Sequence, residues 1–413
     1  MTTLHFNKPT KELIGEIYLP ASKSITNRAL ILNHLSNNAF SIINQSKAQD
    51  SILLDSLLKE IIIFSRQQSI REIHTDNAGT VFRFLTTLLS ITKGDWILTG
   101  SARMKQRPIK GLVNALHQIG GSISYFEKKG FPPLLINGKT LNGGTIEIEA
   151  NTSSQFITSL LLISAFLKDG LNIIFKGKPI SKPYISMTLK ILEYFGIESE
   201  INGYGININK QVFKPKDILI ESDWSAASYW YEMASFSENV DIKLIGLTKN
   251  GWQGDAIIAE LFNNFGVRTD FLSDGIRLTK TNSIVKEFSF DFTDFPDIAQ
   301  TVAVSCAGLG IKAELKGLES LTVKECNRLT ALETELNKIG CKAFTINNNT
   351  LKIEPSDIKT EPVIHVYDDH RMAMSFAPLA ILHQKLNLDN KDVVKKSYPD
   401  FWIDLQGVGF TID

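Results

Sequence analysis

The sequence predicts a mixed α/β (α+β) protein of two domains, each holding three copies of one supersecondary unit. Three observations lead there. Four apolar phrases end in glycine: Leu116 to Gly120, Leu192 to Gly196, Leu261 to Gly266 and Leu336 to Gly340. Each reads as a helix stopped by a glycine in the left-handed conformation that satisfies orphan carbonyls. Each is followed by alternating, strand-like residues such as Ser122 to Tyr125, so helices and strands share the unit. The glycines recur about 70 to 76 residues apart, longer than a solenoid repeat. Extended back to the helical stretch Asp50 to Ile61 and forward to Gly407 or Gly409, that period fills the 413 residues with about six units, three plus three. The crossover falls near Ile220 to Asp223, and a second strand crosses near Leu19-Pro20. The expected domains are therefore 21–221, and 1–20 joined with 222–413, with ligands favouring the cleft between them.

Composition narrows the function. Hydrophobic residues make up 43% of the chain, enough to core two domains, and Lys+Arg equals Asp+Glu at 44 each. A balanced charge gives no bulk attraction to nucleic acid or membrane. Cys306, Cys326 and Cys341 are too few and too unpatterned for a disulfide framework or a zinc site, and they fit a reducing compartment. Met1 to Lys11 has no basic stretch followed by an apolar one, and no uncharged run reaches membrane-spanning length. The expectation is a soluble, cytoplasmic protein, monomeric for want of coiled-coil heptads, with no metal.

Segments able to carry chemistry recur where helices begin. Pro20 to Arg28 sets Ser22, Lys23, Ser24 and Arg28 ahead of Ala29 to Leu32, a plausible phosphate cradle. It lacks the glycines of a P-loop, and a serine cap is the plainer alternative. Asn77 to Thr80 precedes Val81 to Leu85, where Gly79 admits a ligand close to the backbone or merely permits a turn. Gln106-Arg107-Pro108 puts proline at a first helical position with Arg107 at its entrance. Asn151 to Gln155 opens the apolar helix Phe156 to Leu167, and Ser181 to Tyr184 opens the helix that ends at Gly196. Both offer neutral donors suited to a polyhydroxylated, phosphorylated ligand, or capping and nothing more.

The second half is more acidic and basic at its helix starts. Asp297, at the head of Ile298 to Ala307, is a base kept ionised by the helix dipole, or an ordinary cap. Lys324 to Arg328 places Glu325 between two cations that share a helical face if the helix includes both, a repulsion an anion would relieve. Asp368 to Met374 sets Arg371 where a helix begins, able to grip a carboxylate or phosphate bidentately. Lys395 and Lys396 lie in a late loop, where plain surface charge is the default.

Taken together and in order, Ser22 to Leu30, Asn77 to Thr80, Arg107 to Ile109, Ser153 to Phe156, Ser181 to Tyr184, Pro296-Asp297, Lys324-Glu325 with Arg328, and Asp369 to Met374 resemble the enolpyruvyl transferases, most closely those acting on shikimate 3-phosphate. The resemblance spans essentially the whole chain. It implies two domains of three βαβαββ repeats each, helices packed inside sheets, and an active site in the inter-domain cleft. It implies phosphoenolpyruvate plus shikimate 3-phosphate giving the 5-enolpyruvyl ether and phosphate, the sixth step of the shikimate pathway, without cofactor. Lys23, Ser24, Arg28, Ser153, Ser154, Gln155, Ser181, Tyr184, Asp297 and Lys324 would bind shikimate 3-phosphate. Lys23, Gly79, Arg107, Gln155, Arg328, Arg371 and Lys396 would hold phosphoenolpyruvate.

The chemistry needs the methylene carbon protonated and the 5-hydroxyl deprotonated on opposite sides of one adduct. The expected roles are Asp297 as base, Glu325 as proton donor and Lys23 as a further proton carrier, with the first acceptor open between Asp297 and Lys23. Two phosphates and two carboxylates bring about −5 to −6 of charge. Lys23, Arg28, Arg107, Lys324, Arg328, Arg371 and Lys396 can meet it, and their mutual repulsion predicts an open empty state that closes on ligand. The chain departs from the family pattern at Ala21 for glycine, at Phe84 for proline, which bears on sensitivity to the inhibitor glyphosate, at Cys326-Asn327 for Thr-Asp, and at Ser320 for a ligand-contacting Asn. The UDP-N-acetylglucosamine enolpyruvyl transferases are the nearest competitor, but Gly100 to Gln106 lacks the cysteine usual in their loop. A non-catalytic sugar-phosphate-binding protein would need no Asp297 and Glu325 pair.

Overall fold

The computed structural model describes residues 4–65, 69–151, 153–356, 363–383 and 386–413. Thr152, in the predicted Asn151 to Gln155 segment, lies outside the described residues. The chain divides into two compact units: an N-terminal one of Lys23–Ser46 and Asp50–Ile220, and a C-terminal one of Met1–Ser22, Lys47–Gln49 and Glu221–Asp413.

One strand order recurs in both. In the N-terminal unit, Arg71–His74 runs parallel to Gly94–Thr99, which pairs antiparallel with Leu134–Gly138, whose far edge takes Ser122–Tyr125. The helices Gly79–Ile91 and Lys110–Gln118 make the connections, completing a βαβαββ unit. The segment from Gly144–Glu149 to Gly205–Ile208 repeats it, as does Glu287–Asp291 to Thr350–Glu354. Other copies close with strands distant in sequence. Glu12–Tyr18 runs parallel to Asn239–Ile245, Ile218–Leu219 to Ile42–Ile43, and Leu4–Asn7 is inserted between Leu386–Leu388 and Thr411–Ile412.

The helices occupy the inside because their sequences are apolar on nearly every side. Gly79–Ile91, Ser154–Ser164 and Lys23–Leu35 pack on one another in the N-terminal unit, and Trp224–Phe236, Ala299–Gly308 and His370–Phe376 do so in the C-terminal one. The sheets shield them, with Trp96, Leu98, Leu134 and Ile136 buried while Leu135 points outward. Hydroxyls within these helices bond to carbonyls of the preceding turn, as Thr86 Oγ1 does to Phe82 O at 2.8 Å and Ser305 Oγ to Thr301 O at 2.8 Å. Each of these two buried hydroxyls is thereby satisfied within its own helix. Among the described residues no helix is long and apolar enough to cross a membrane.

The predicted glycine stops hold in three of four cases. Gly120, Gly196 and Gly340 have φ of 87°, 79° and 96°. The amide after each reaches back five residues: Gly121 to Leu116 O at 2.8 Å, Ile197 to Leu192 O at 2.9 Å and Cys341 to Leu336 O at 3.0 Å. Gly409 is the forward member, with Phe410 N on Leu405 O at 3.1 Å. Gly266 differs. The preceding helix runs out through the 3-10 turn Phe262–Asn264, and Gly266 sits inside the strand Phe265–Phe271 at a register shift, so its positive φ serves a bulge.

Candidate active site

The predicted site residues gather at the N-terminal ends of the inner helices, and each unit holds its own cluster. In the N-terminal unit, the Gly79–Ile91 helix starts after Ala78 without a side-chain cap. The buried Arg107 guanidinium lies across that start. A Cβ on residue 79 would stand 2.5 Å from one of its nitrogens, so glycine is what admits the arginine. Pro108 is not at a first helical position, since the following helix is Lys110–Gln118 with Ile109 as its cap; Arg107 instead ends the 3-10 turn Met104–Gln106. Gln155 Nε2 donates to Thr80 Oγ1 at 3.1 Å and ties a second inner helix to the same end.

The helix Ser154–Ser164 is shorter than the predicted Phe156 to Leu167. Ser153 caps it by accepting from Gln155 N at 3.3 Å. Ser181 precedes Lys182–Tyr194 in the left-handed region, φ 51°, with no side-chain cap bond. Lys23 pairs with Asp50 at 3.1 Å. Arg28 is buried, and among the described residues its hydrogen bonds go to neutral oxygens: Thr188 Oγ1 at 2.8 Å, Ser24 O at 2.7 Å and Tyr184 O at 3.2 Å. The Phe84 ring lies 5.8 Å from its guanidinium carbon. Burial pulls its pKa down to about 10, the mark of a cation short of counter-charge.

The C-terminal unit brings six predicted residues into one network. Arg328 is enclosed, and grips Asp369 with Nε at 2.7 Å and Nη2 at 3.2 Å, Glu325 with Nη2 at 2.9 Å and Asp297 with Nη1 at 3.4 Å. Arg371 reaches Asp297 Oδ2 at 3.1 Å and its main-chain oxygen at 2.7 Å. Lys324 stands 3.5 Å from Asp297, and Lys396 3.6 Å from Glu325. Burial acts to lower the Arg328 pKa, but Asp369, Glu325 and Asp297 together carry it upward despite an opposing push from Arg371. Burial lowers that of Lys324, with Asp297 opposing.

Two expectations change here. Asp297 is not a cap: the helix is Ala299–Gly308, capped at Ile298 with no side-chain bond, and the carboxylate faces three cations instead. Lys324 and Arg328 do not share a helical face, because the helix is Arg328–Lys338 and Lys324 precedes it. Their repulsion is answered by Asp297 between them rather than awaiting an anion. Asn327 caps that helix through Thr330 N at 3.3 Å, and Asp369 caps the next through Arg371 N at 2.9 Å.

A match to the family model of EPSP synthase (3-phosphoshikimate 1-carboxyvinyltransferase) runs over residues 7–405. The chain belongs to the EPSP synthase family. It is 42% identical over 404 residues to the 3-phosphoshikimate 1-carboxyvinyltransferase of Bacteroides fragilis, with 97% of each chain covered. It is 32% identical to that of Shewanella pealeana, over 96% of this chain and 97% of the other. Among solved structures it resembles the EPSP synthase of Acinetobacter baumannii, at TM-score 0.78 and 19% identity over all of both chains, a likeness of fold.

Sequence reasoning about this EPSP synthase family member missed the acids that hold its cations. Asp50 lies in the first turn of Gln49–Phe64 and Asp369 caps His370–Phe376, and neither was singled out as a counter-charge.

Proposed function

We infer that the chain transfers the enolpyruvyl group of phosphoenolpyruvate to the 5-hydroxyl of shikimate 3-phosphate, through a tetrahedral adduct, and releases phosphate. The observation that carries this is Asp297, excluded from capping and ringed by Arg371, Arg328 and Lys324, with Glu325 on the far side of Arg328. A carboxylate so surrounded stays ionised and can take the hydroxyl proton as oxygen attacks the substituted carbon. Glu325 then delivers a proton to the methylene carbon and takes one back when the adduct expels phosphate, and the proton held by Asp297 leaves with that phosphate. A carboxyl between Arg328 and Lys396 holds a proton poorly until an anion draws those cations off, so phosphoenolpyruvate itself equips Glu325 to donate.

Inner-helix N-termini at Gly79, Ser154 and Arg371, with Arg107, Arg28 and Lys23, suit the phosphates and carboxylates of both substrates. Ser24, Ser153, Ser154, Gln155, Ser181 and Tyr184 supply donors for the ring hydroxyls and phosphate of shikimate 3-phosphate. The activity for which these relatives are named supports the same assignment. Release of phosphate from phosphoenolpyruvate, measured with shikimate 3-phosphate as acceptor, tests it. Release with UDP-N-acetylglucosamine alone would reassign the acceptor, and release with neither would overturn the reading. Glu325→Gln is expected to bind both substrates while turnover falls by about 10²-fold or more. Turnover within threefold of the unaltered chain removes Glu325 from the proton path.

A further inference from the structure

One buried acid in the C-terminal unit has no part in that scheme. Glu335 stands about two turns beyond Arg328 on the same face of the Arg328–Lys338 helix, and both side chains reach the segment 363–369. That segment is tethered to the helix at alternate residues. Lys338 Nζ donates to Val363 O at 3.1 Å, His365 N to Glu335 Oε2 at 3.1 Å and Tyr367 OH to Glu335 Oε1 at 2.8 Å, and Arg328 holds the Asp369 carboxylate. The residues between are held from another side, just after the strand Leu386–Leu388. Asp389 N donates to Ile364 O at 3.3 Å, Asp389 Oδ1 accepts from Val366 N at 3.0 Å, and Asn390 Nδ2 donates to Asp368 Oδ1 at 3.3 Å.

Such bracing has strain to hold. Tyr367 and Asp368 both lie in the left-handed region, φ 54° and 53°, a conformation that residues with side chains keep only where their surroundings over-determine it. The turn they make delivers Asp369. Its carboxylate takes Arg328 Nε at 2.7 Å and Nη2 at 3.2 Å, and its Oδ1 also accepts from the Arg371 amide at 2.9 Å. One aspartate thus ties together the two arginines assigned to phosphoenolpyruvate. Tyr367 keeps its proton as the donor, because burial and the neighbouring Glu335 carboxylate push the phenol up to about 12. Glu335 is itself fixed by Lys338 Nζ at 2.6 Å.

We propose that Glu335 and Tyr367 are positioning residues for phosphoenolpyruvate: their hydrogen bond secures the left-handed turn that places Asp369, and through it the relative aim of Arg328 and Arg371. An arginine pair fixed in advance meets the anion without the cost of ordering on arrival. Neither residue moves a proton in the reaction, so the effect falls on binding of this one substrate and not on the chemical steps.

This rests on the substrate assignment above. Its test is the steady-state kinetics of Tyr367→Phe, which loses the hydroxyl but keeps the ring beside His365, 4.3 Å between centroids. KM for phosphoenolpyruvate should rise about fivefold to tenfold, with kcat within about twofold and KM for shikimate 3-phosphate unmoved. Glu335→Gln has one carbonyl oxygen and cannot serve Tyr367, His365 and Lys338 together. It should raise the same constant, and it decides the matter if Tyr367→Phe does not fold. In the double variant the rise should stay below the product of the two single ones, because both remove one shared contact. A brace that served stability alone would lower the urea midpoint and leave KM for phosphoenolpyruvate where it was. That result, a fall in kcat at constant KM, or an equal rise in both KM values overturns the inference. A chain that never turns over these substrates sinks the functional reading and this inference with it; an active chain whose variants keep the same KM for phosphoenolpyruvate sinks the inference alone.

Discussion

Replacing Asp297 with asparagine is expected to lower turnover by about 10²- to 10⁴-fold with the fold retained. Asparagine keeps the volume and one carbonyl oxygen, so Arg371 still finds the Asp297 main-chain oxygen, now at 2.7 Å, and a side-chain acceptor beside it. It cannot take a proton from a hydroxyl. Three cations, Arg371, Arg328 and Lys324, also lose their shared counter-charge. Anionic substrates should therefore bind as well as before or more tightly, so that kcat falls while KM does not rise. Steady-state rates against each substrate, with circular dichroism to check the fold, measure this. Turnover within tenfold of the unaltered chain would move the base to Lys23, the other candidate for the hydroxyl proton.

Replacing Arg328 with methionine should cost about 3–5 kcal/mol of stability, the largest loss expected from one site residue. The methionine fills a similar volume, so the penalty is electrostatic. Asp369, with none of its side chain exposed, loses a two-point grip, and Glu325 and Asp297 lose a shared partner. Enclosed carboxylates left unpaired either stay charged at high cost or take up protons. The loss should accordingly shrink as pH falls toward 5 and the orphaned acids protonate. Urea unfolding midpoints of both chains at pH 8 and pH 5 read it directly, and an equal shift at both pH values would assign the loss to packing instead of charge.

How much of this was legible beforehand differs by residue. Gly120, Gly196 and Gly340 betrayed the repeat because a helix stop is a local event, settled by one residue's access to positive φ and one backward hydrogen bond. Gly266 looked identical yet serves a strand, because its φ answers to a neighbouring strand that local pattern does not contain. Asp297 could be either cap or base on sequence alone, and the readings separated only when the helix began at Ala299 and Arg371, Lys324 and Arg328 gathered on the carboxylate.

The amino-acid sequence by itself determined the alternation of helices and strands, the helix starts where polar residues collect, and the set of cations available for anionic ligands. Each follows from interactions spanning a few residues. Tertiary structure decided which acid answers which cation: Asp369 for Arg328, Asp50 for Lys23 and Asp297 for Arg371. Pairings of that kind depend on through-space distance and on burial that strips away water. Both appear only once segments distant along the chain have packed together.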